Sequence, residues 1–148
     1  MSVPQDILVA IRSDADIVAA RQQGRSLAAT LGFTATDATL IATIQAALSD
    51  ADLLQLRRAL IDKVIQFRSQ GVIVDVTALD VMDSFATRTL RDITNMIRLR
   101  GASTVIVGIQ PEVAFAMVQL GLTMEGVATA LDLEEGLAHL QQRATAKI

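Results

Sequence analysis

Residues 71–76 read Gly-Val-Ile-Val-Asp-Val. A run that stays apolar on both alternating faces as far as Asp75 describes a strand covered on both sides, which belongs near the centre of a sheet sandwiched by helices. A short acidic loop follows. Then comes a helical pattern that opens on Asp83-Ser84-Phe85 and repeats Ala86, Leu90, Ile93 and Ile97 before stopping at Gly101. Strand, loop and helix in this order commit the chain to an α/β layered fold.

The same alternation extends along the whole sequence. Ile7–Ile11 is a β-like run. Ser13 and Asp16 form a capping pair for a helix whose Ile17, Ala20, Gly24, Leu27 and Leu31 recur at helical spacing until Gly32. Leu40–Gln45 reads as a strand on its β-branched content, although Thr36-Asp37 offers a cap for a helix through Leu40 and Ile44 instead. Ser49 and Asp52 cap a helix with the stripe Leu53, Leu56, Leu60, Val64 and Phe67. Thr104–Ile109 is a further strand. Pro111 and Glu112 open a short helix closed by Gly121. Val127–Ala130 is a last short strand, and Asp132 with Glu135 caps a helix carrying Leu133, Leu137 and Leu140.

These elements predict one mixed sheet packed with helices. Ile7–Ile11 is expected at an edge, with helix 14–31 as its crossover, as an added N-terminal βα unit. If Leu40–Gln45 continued a helix, the sheet would lose a strand, and a swapped homodimer would be one way to recover it.

Composition excludes more than it proposes. At 148 residues the chain suits a single domain, and 51% hydrophobic residues rule out general disorder. Aromatics are only 3%, so the core must be aliphatic. A net charge of −3 without a Lys/Arg run argues against a nucleic-acid groove or an anionic membrane surface. With no cysteine, there is neither thiol catalysis nor a thiolate metal site, and a reducing compartment fits. No stretch approaches the roughly 20 apolar residues of a membrane span, and the N-terminus lacks a signal peptide's basic region. A cytoplasmic domain is the expectation.

Few residues suggest chemistry. Ser84 has two readings, a helix N-cap contributing about 1 kcal/mol over Ala or a phosphorylatable hydroxyl at a helix start. Asp75, Asp80 and Asp83 invite a metal or acid–base role, yet no histidine is near and Asp is common in turns. Thr87 and Thr89 are either secondary acceptors or ordinary threonines. Arg88, Arg91, Arg98 and Arg100 face either an acidic partner or solvent. His139 stands on an Ala/Leu helix with no nucleophile in view. No catalytic residue, metal site or cofactor is assigned.

Three motifs carry a resemblance: VIVDVTALDVMDSF, VIVGIQPEVAFAMVQLGL and ATALDLEEGLAHL. Over about residues 40–142 the chain resembles STAS domains of the RsbS type, the small scaffold proteins of the bacterial stressosome. That resemblance implies a non-enzymatic module of stress-response signalling. It would bind a switch serine kinase and sister STAS proteins, with phosphorylation of Ser84 weakening the hold. Asp80, Asp83, Phe85, Thr87 and Arg88 would form the partner-facing loop.

The opening is different. SDADIVAARQQGRSLAATLGFTATDATLIAT, within about residues 6–43, resembles the start of the RsbT-type switch kinase itself. It lacks that enzyme's magnesium-binding helix and nucleotide loops. The chain thus reads as one STAS-like domain over 1–148, with a kinase-like βα segment at 1–39 and a STAS core from 40. It looks like a hybrid, natural or engineered, and the alternative to a working switch is a fold retained without native activity.

Overall fold

The computed structural model describes residues 31–35, 38–122, 124 and 126–146. Their elements are β1 (Leu31–Ala35), β2 (Thr39–Ile44), α1 (Asp50–Phe67), β3 (Gly71–Asp75), α2 (Ser84–Leu99), β4 (Ser103–Val107), α3 (Pro111–Gln119), β5 (Ala128–Ala130) and α4 (Leu133–Ala146). The five strands lie in chain order, β1-β2-β3-β4-β5. β1 runs antiparallel to β2, while β2 to β5 are mutually parallel. Parallel neighbours need a crossover. Here α1, α2 and α3 supply those between successive parallel strands.

β3 is the middle strand, as its two-sided hydrophobicity requires, and every one of its residues is buried. Its side chains divide between two cores. Val72 and Val74 join Leu40, Ala42 and Ile106 beneath Leu56 and Leu60 of α1, Leu90, Ile93 and Ile97 of α2, and Val113 and Met117 of α3. Ile73 joins Ile41, Val105 and Val107 against Leu133, Leu137 and Leu140 of α4. Each buried aliphatic side chain contributes about 1.5–3 kcal/mol of transfer free energy. Gly136 lets α4 sit close to the sheet, because a Cβ there would lie 2.7 Å from Val107 Cγ1.

Ser49 and Asp52 form the expected capping box, each side chain accepting from the other residue's backbone N–H at 3.1 Å. Pro111 opens α3, and Asp132 accepts from the Glu135 N–H at 2.9 Å. Thr39–Ile44 is a strand, so the helical alternative for this segment fails, and with it the motive for a swapped dimer.

The start of the described chain departs from expectation. Leu31 and Gly32 are strand residues, not the end of a helix. Phe33, facing Ala42 across the antiparallel ladder, is buried in the three-helix core, and Thr34 points to the other side. Phe33 also lies 5.1 Å from the Nζ of Lys63, a residue 7% exposed, and the Phe67 ring lies 5.9 Å from the same Nζ. Among the described strands β1 is therefore an edge of the sheet. The expected strand Ile7–Ile11 and helix 14–31 up to residue 30 lie outside the described residues.

Candidate functional site

The loop between β3 and α2 emerges at the C-terminal end of the central strand, and three anchors set its path. Asp75, fully buried, accepts through Oδ1 from the Thr77 N–H at 2.9 Å and the Thr77 hydroxyl at 2.6 Å. Leu79 and Met82 turn inward to the three-helix core, at 6% and 4% exposure. Asp83 then ends the loop as the N-cap of α2, accepting from the Ala86 N–H at 2.8 Å. Between these anchors Asp80 and Val81 are exposed.

Ser84 is the first residue of α2 and is exposed. It is not the N-cap, which corrects one of its two sequence readings: extended backbone angles and the capping bond both belong to Asp83. In the first turn the helix leaves amide N–H groups without intrahelical partners. Asp83 takes the one at Ala86. A negative group on the Ser84 side chain would meet the positive end of the helix dipole, but it would be opposed by Asp83 next to it and by Asp80 in the same loop.

The Gly108-Ile109-Gln110-Pro111 segment of the second motif packs directly against this loop. Gln110 Nε2 donates to the Thr77 carbonyl oxygen. Gly108, at φ +82°, leaves room for Thr77, whose Oγ1 would lie 2.0 Å from a Cβ at that position. The backbone of Val76 also donates to the Val107 carbonyl at 3.0 Å. Thr77, Gly108 and Gln110 thus position the Ser84 loop. All three lie in motifs quoted from the sequence, but none was given a positioning role there, although a glycine two residues before Gln-Pro at a strand end was a signal for close backbone approach.

The remaining candidates separate. Phe85 is half-buried and packs on the three-helix core. Arg88 is exposed one turn along α2, its Nε 3.4 Å from the Ser84 carbonyl oxygen. Thr87, 1% exposed, and Thr89, 4%, face inward. Neither can be reached by a kinase or a docked surface while α2 is folded, which removes Thr87 from the partner-facing loop and both from the acceptor list. The arginines do not form one patch: Arg98 donates to the Gly126 carbonyl at 2.9 Å and holds the approach to β5. His139 is half-buried on α4, across the sheet from Ser84. Asp75 is a structural anchor of the turn, and among the described residues no cluster of acidic, histidine or cysteine side chains could hold a metal. Nor is any helix among them long and apolar enough to cross a membrane.

Comparison with known proteins agrees with this geometry. The sequence model of the STAS domain matches residues 31–136. Among curated relatives, the RsbT co-antagonist protein RsbRA of Bacillus subtilis is 32% identical over 89 residues, 60% of this chain and 32% of the relative. RsbRC of the same organism is 34% identical over 65 residues, 44% of this chain and 23% of the relative. The chain therefore spans about a third or less of these relatives' length. A serine-to-glutamate variant of RsbS from Moorella thermoacetica superposes with a TM-score of 0.68 at 31% identity, covering 79% of this chain and 99% of that one. The anti-sigma factor antagonist SpoIIAA, at 15% identity and a TM-score of 0.59 over 76% of this chain and 98% of its own, shares the fold.

The match begins at Leu31, nine residues before the expected start of the STAS core. Leu31–Ala35 and Thr39–Thr43, which the kinase-like reading had claimed, are thus strands of the STAS sheet. These comparisons give no support to a kinase-derived opening or to a hybrid. With its ordered sheet, the acidic loop at the end of the central strand and the match over 31–136, the chain belongs to the STAS domain family.

Proposed function

We propose that this STAS domain is a phosphorylatable docking module of stress sigma-factor signalling. In its unmodified form it holds an RsbT-like switch serine kinase, alongside sister STAS proteins, in the cytoplasm. Modification of Ser84 releases the kinase. The partner-facing surface is Asp80, Asp83, Phe85 and Arg88 around the exposed serine.

One observation carries this reading. Ser84 stands exposed at the first position of α2 while Asp83 does the capping, so the ordinary structural reason for a serine here is absent. The relatives support the partner class: RsbRA and RsbRC are named as co-antagonists of RsbT, and another match at 31% identity comes from a structure of the stressosome. STAS modules of the anti-sigma antagonist type are generally non-catalytic, in keeping with a binding role.

The switch needs only local electrostatics. A phosphate adds about −1.5 to −2 charges and three acceptor oxygens. A partner that docked on a neutral hydroxyl then meets a hydrated dianion beside Asp83. Allosteric-scale couplings of about 1–3 kcal/mol correspond to about 5- to 150-fold in affinity. Ser84→Asp is expected to weaken binding of an RsbT-type kinase within that range, measured by calorimetry, with an unchanged circular dichroism spectrum. Equal affinity of wild type and variant would contradict the switch.

A further inference from the structure

Beside Ser84 lies a small cleft that the phosphorylation switch alone does not use. It is bounded by the end of β2 and the loop after it, the first turns of α1, the loop before α2 and α2 itself, and it has a volume of about 130 Å³. Its floor is aliphatic, formed by Ile44, Leu53, Leu79 and Leu90, with Val81 and Asp83 at its mouth. An apolar cavity of about 150 Å³ is large enough for a benzene ring, so this one takes a single aliphatic or aromatic side chain and nothing larger.

Two features mark it as an interaction surface. Val81 is 70% exposed although its loop neighbours Leu79 and Met82 are buried, so an apolar side chain is displayed at the mouth of an apolar cleft. The charge on the lining is negative. Asp83 supplies it, Asp80 is exposed next to Val81 in the same loop, and no Lys or Arg contributes to the lining. The complementary occupant is an apolar side chain flanked by a basic one.

We infer that this cleft receives one apolar side chain, adjacent to an Arg or Lys, from the kinase that modifies Ser84. The inference rests on the reading of Ser84 as the switch and adds what the kinase grips. It also accounts for release in spite of a basic flank. A phosphate on Ser84 sets a bulky, strongly hydrated dianion beside Asp83 at the mouth, and its bulk and hydration oppose close seating of an apolar side chain there.

The test measures affinity of an RsbT-type kinase for the full chain carrying Ala47→Leu, Val81→Asn or Ser84→Asp. Ala47 is an exposed lining residue whose enlargement narrows the cleft, and Val81→Asn makes its mouth polar at an exposed loop position. Each of these two is expected to weaken binding about tenfold, the worth of about half to most of one buried aliphatic side chain. Wild-type affinity in both, with Ser84→Asp still weakened, would overturn the cleft and leave the switch standing. Absence of binding by the wild-type chain would overturn both. Should Ala47→Leu fail to fold, Val81→Asn decides alone.

Discussion

At the scale of single residues, the assignment of roles at the start of α2 matters most. Sequence made Ser84 either cap or switch, and the two are one position apart in physics. The residue with extended backbone and a side chain on the third amide is Asp83, so its removal and that of Ser84 should differ. Asp83→Ala is expected to lower stability by about 1 kcal/mol, while Ser84→Ala changes it by less than about 0.5 kcal/mol. Urea unfolding of the two variants checks this, and a larger loss in Ser84→Ala would restore serine as the cap. The motif D-S-F was legible, but which of two adjacent residues caps was not, because Asp and Ser are equally good N-caps and only the backbone angles choose. Thr87 was misread for a related reason. Helical position fixes which face a residue takes only once the first helical residue is known, and Thr87 lies three residues after Ser84 on the inward side with Leu90.

At the scale of elements, everything from α1 onward was legible, since each carried its own period and punctuation: the two-sided strand β3, the capping box before α1, Pro111 before α3 and Asp132 before α4; β2 was legible only as one of two readings of its segment. β1 was not. Leu31 continued the i, i+3, i+4 series of the preceding residues and Gly32 resembled a helix stop, whereas the pairing of Phe33 with Ala42, nine residues on, becomes readable only once β2 is known to be a strand. That pairing makes β1 an integral edge rather than an appendage. Phe33→Ala is expected to cost about 3–5 kcal/mol, as for other buried aromatics, and to leave Lys63 with Phe67 alone as an aromatic neighbour. Thermal unfolding of this variant close to wild type would show that β1 adds little to the sheet. The loops that position Ser84 were legible only as motifs. Gly108 is required by Thr77, and Gln110 by the Thr77 carbonyl, and those partners are about thirty residues apart in sequence.

At the scale of the whole molecule, the fold gathers its variable chemistry at one end of the parallel strands. The acidic loop, the exposed Ser84, the Gly108–Gln110 loop and the aliphatic cleft all lie where β2, β3 and β4 end. α4 closes the opposite face with aliphatic contacts. The central claim is that Ser84 is the acceptor of a switch kinase, and intact mass spectrometry addresses it directly. The purified chain is incubated with ATP and an RsbT-type kinase, in parallel with Ser84→Ala. The account predicts one added phosphate on the wild-type chain and none on the variant. A folded wild-type chain that gains no phosphate, or a variant that gains one as readily, would contradict it.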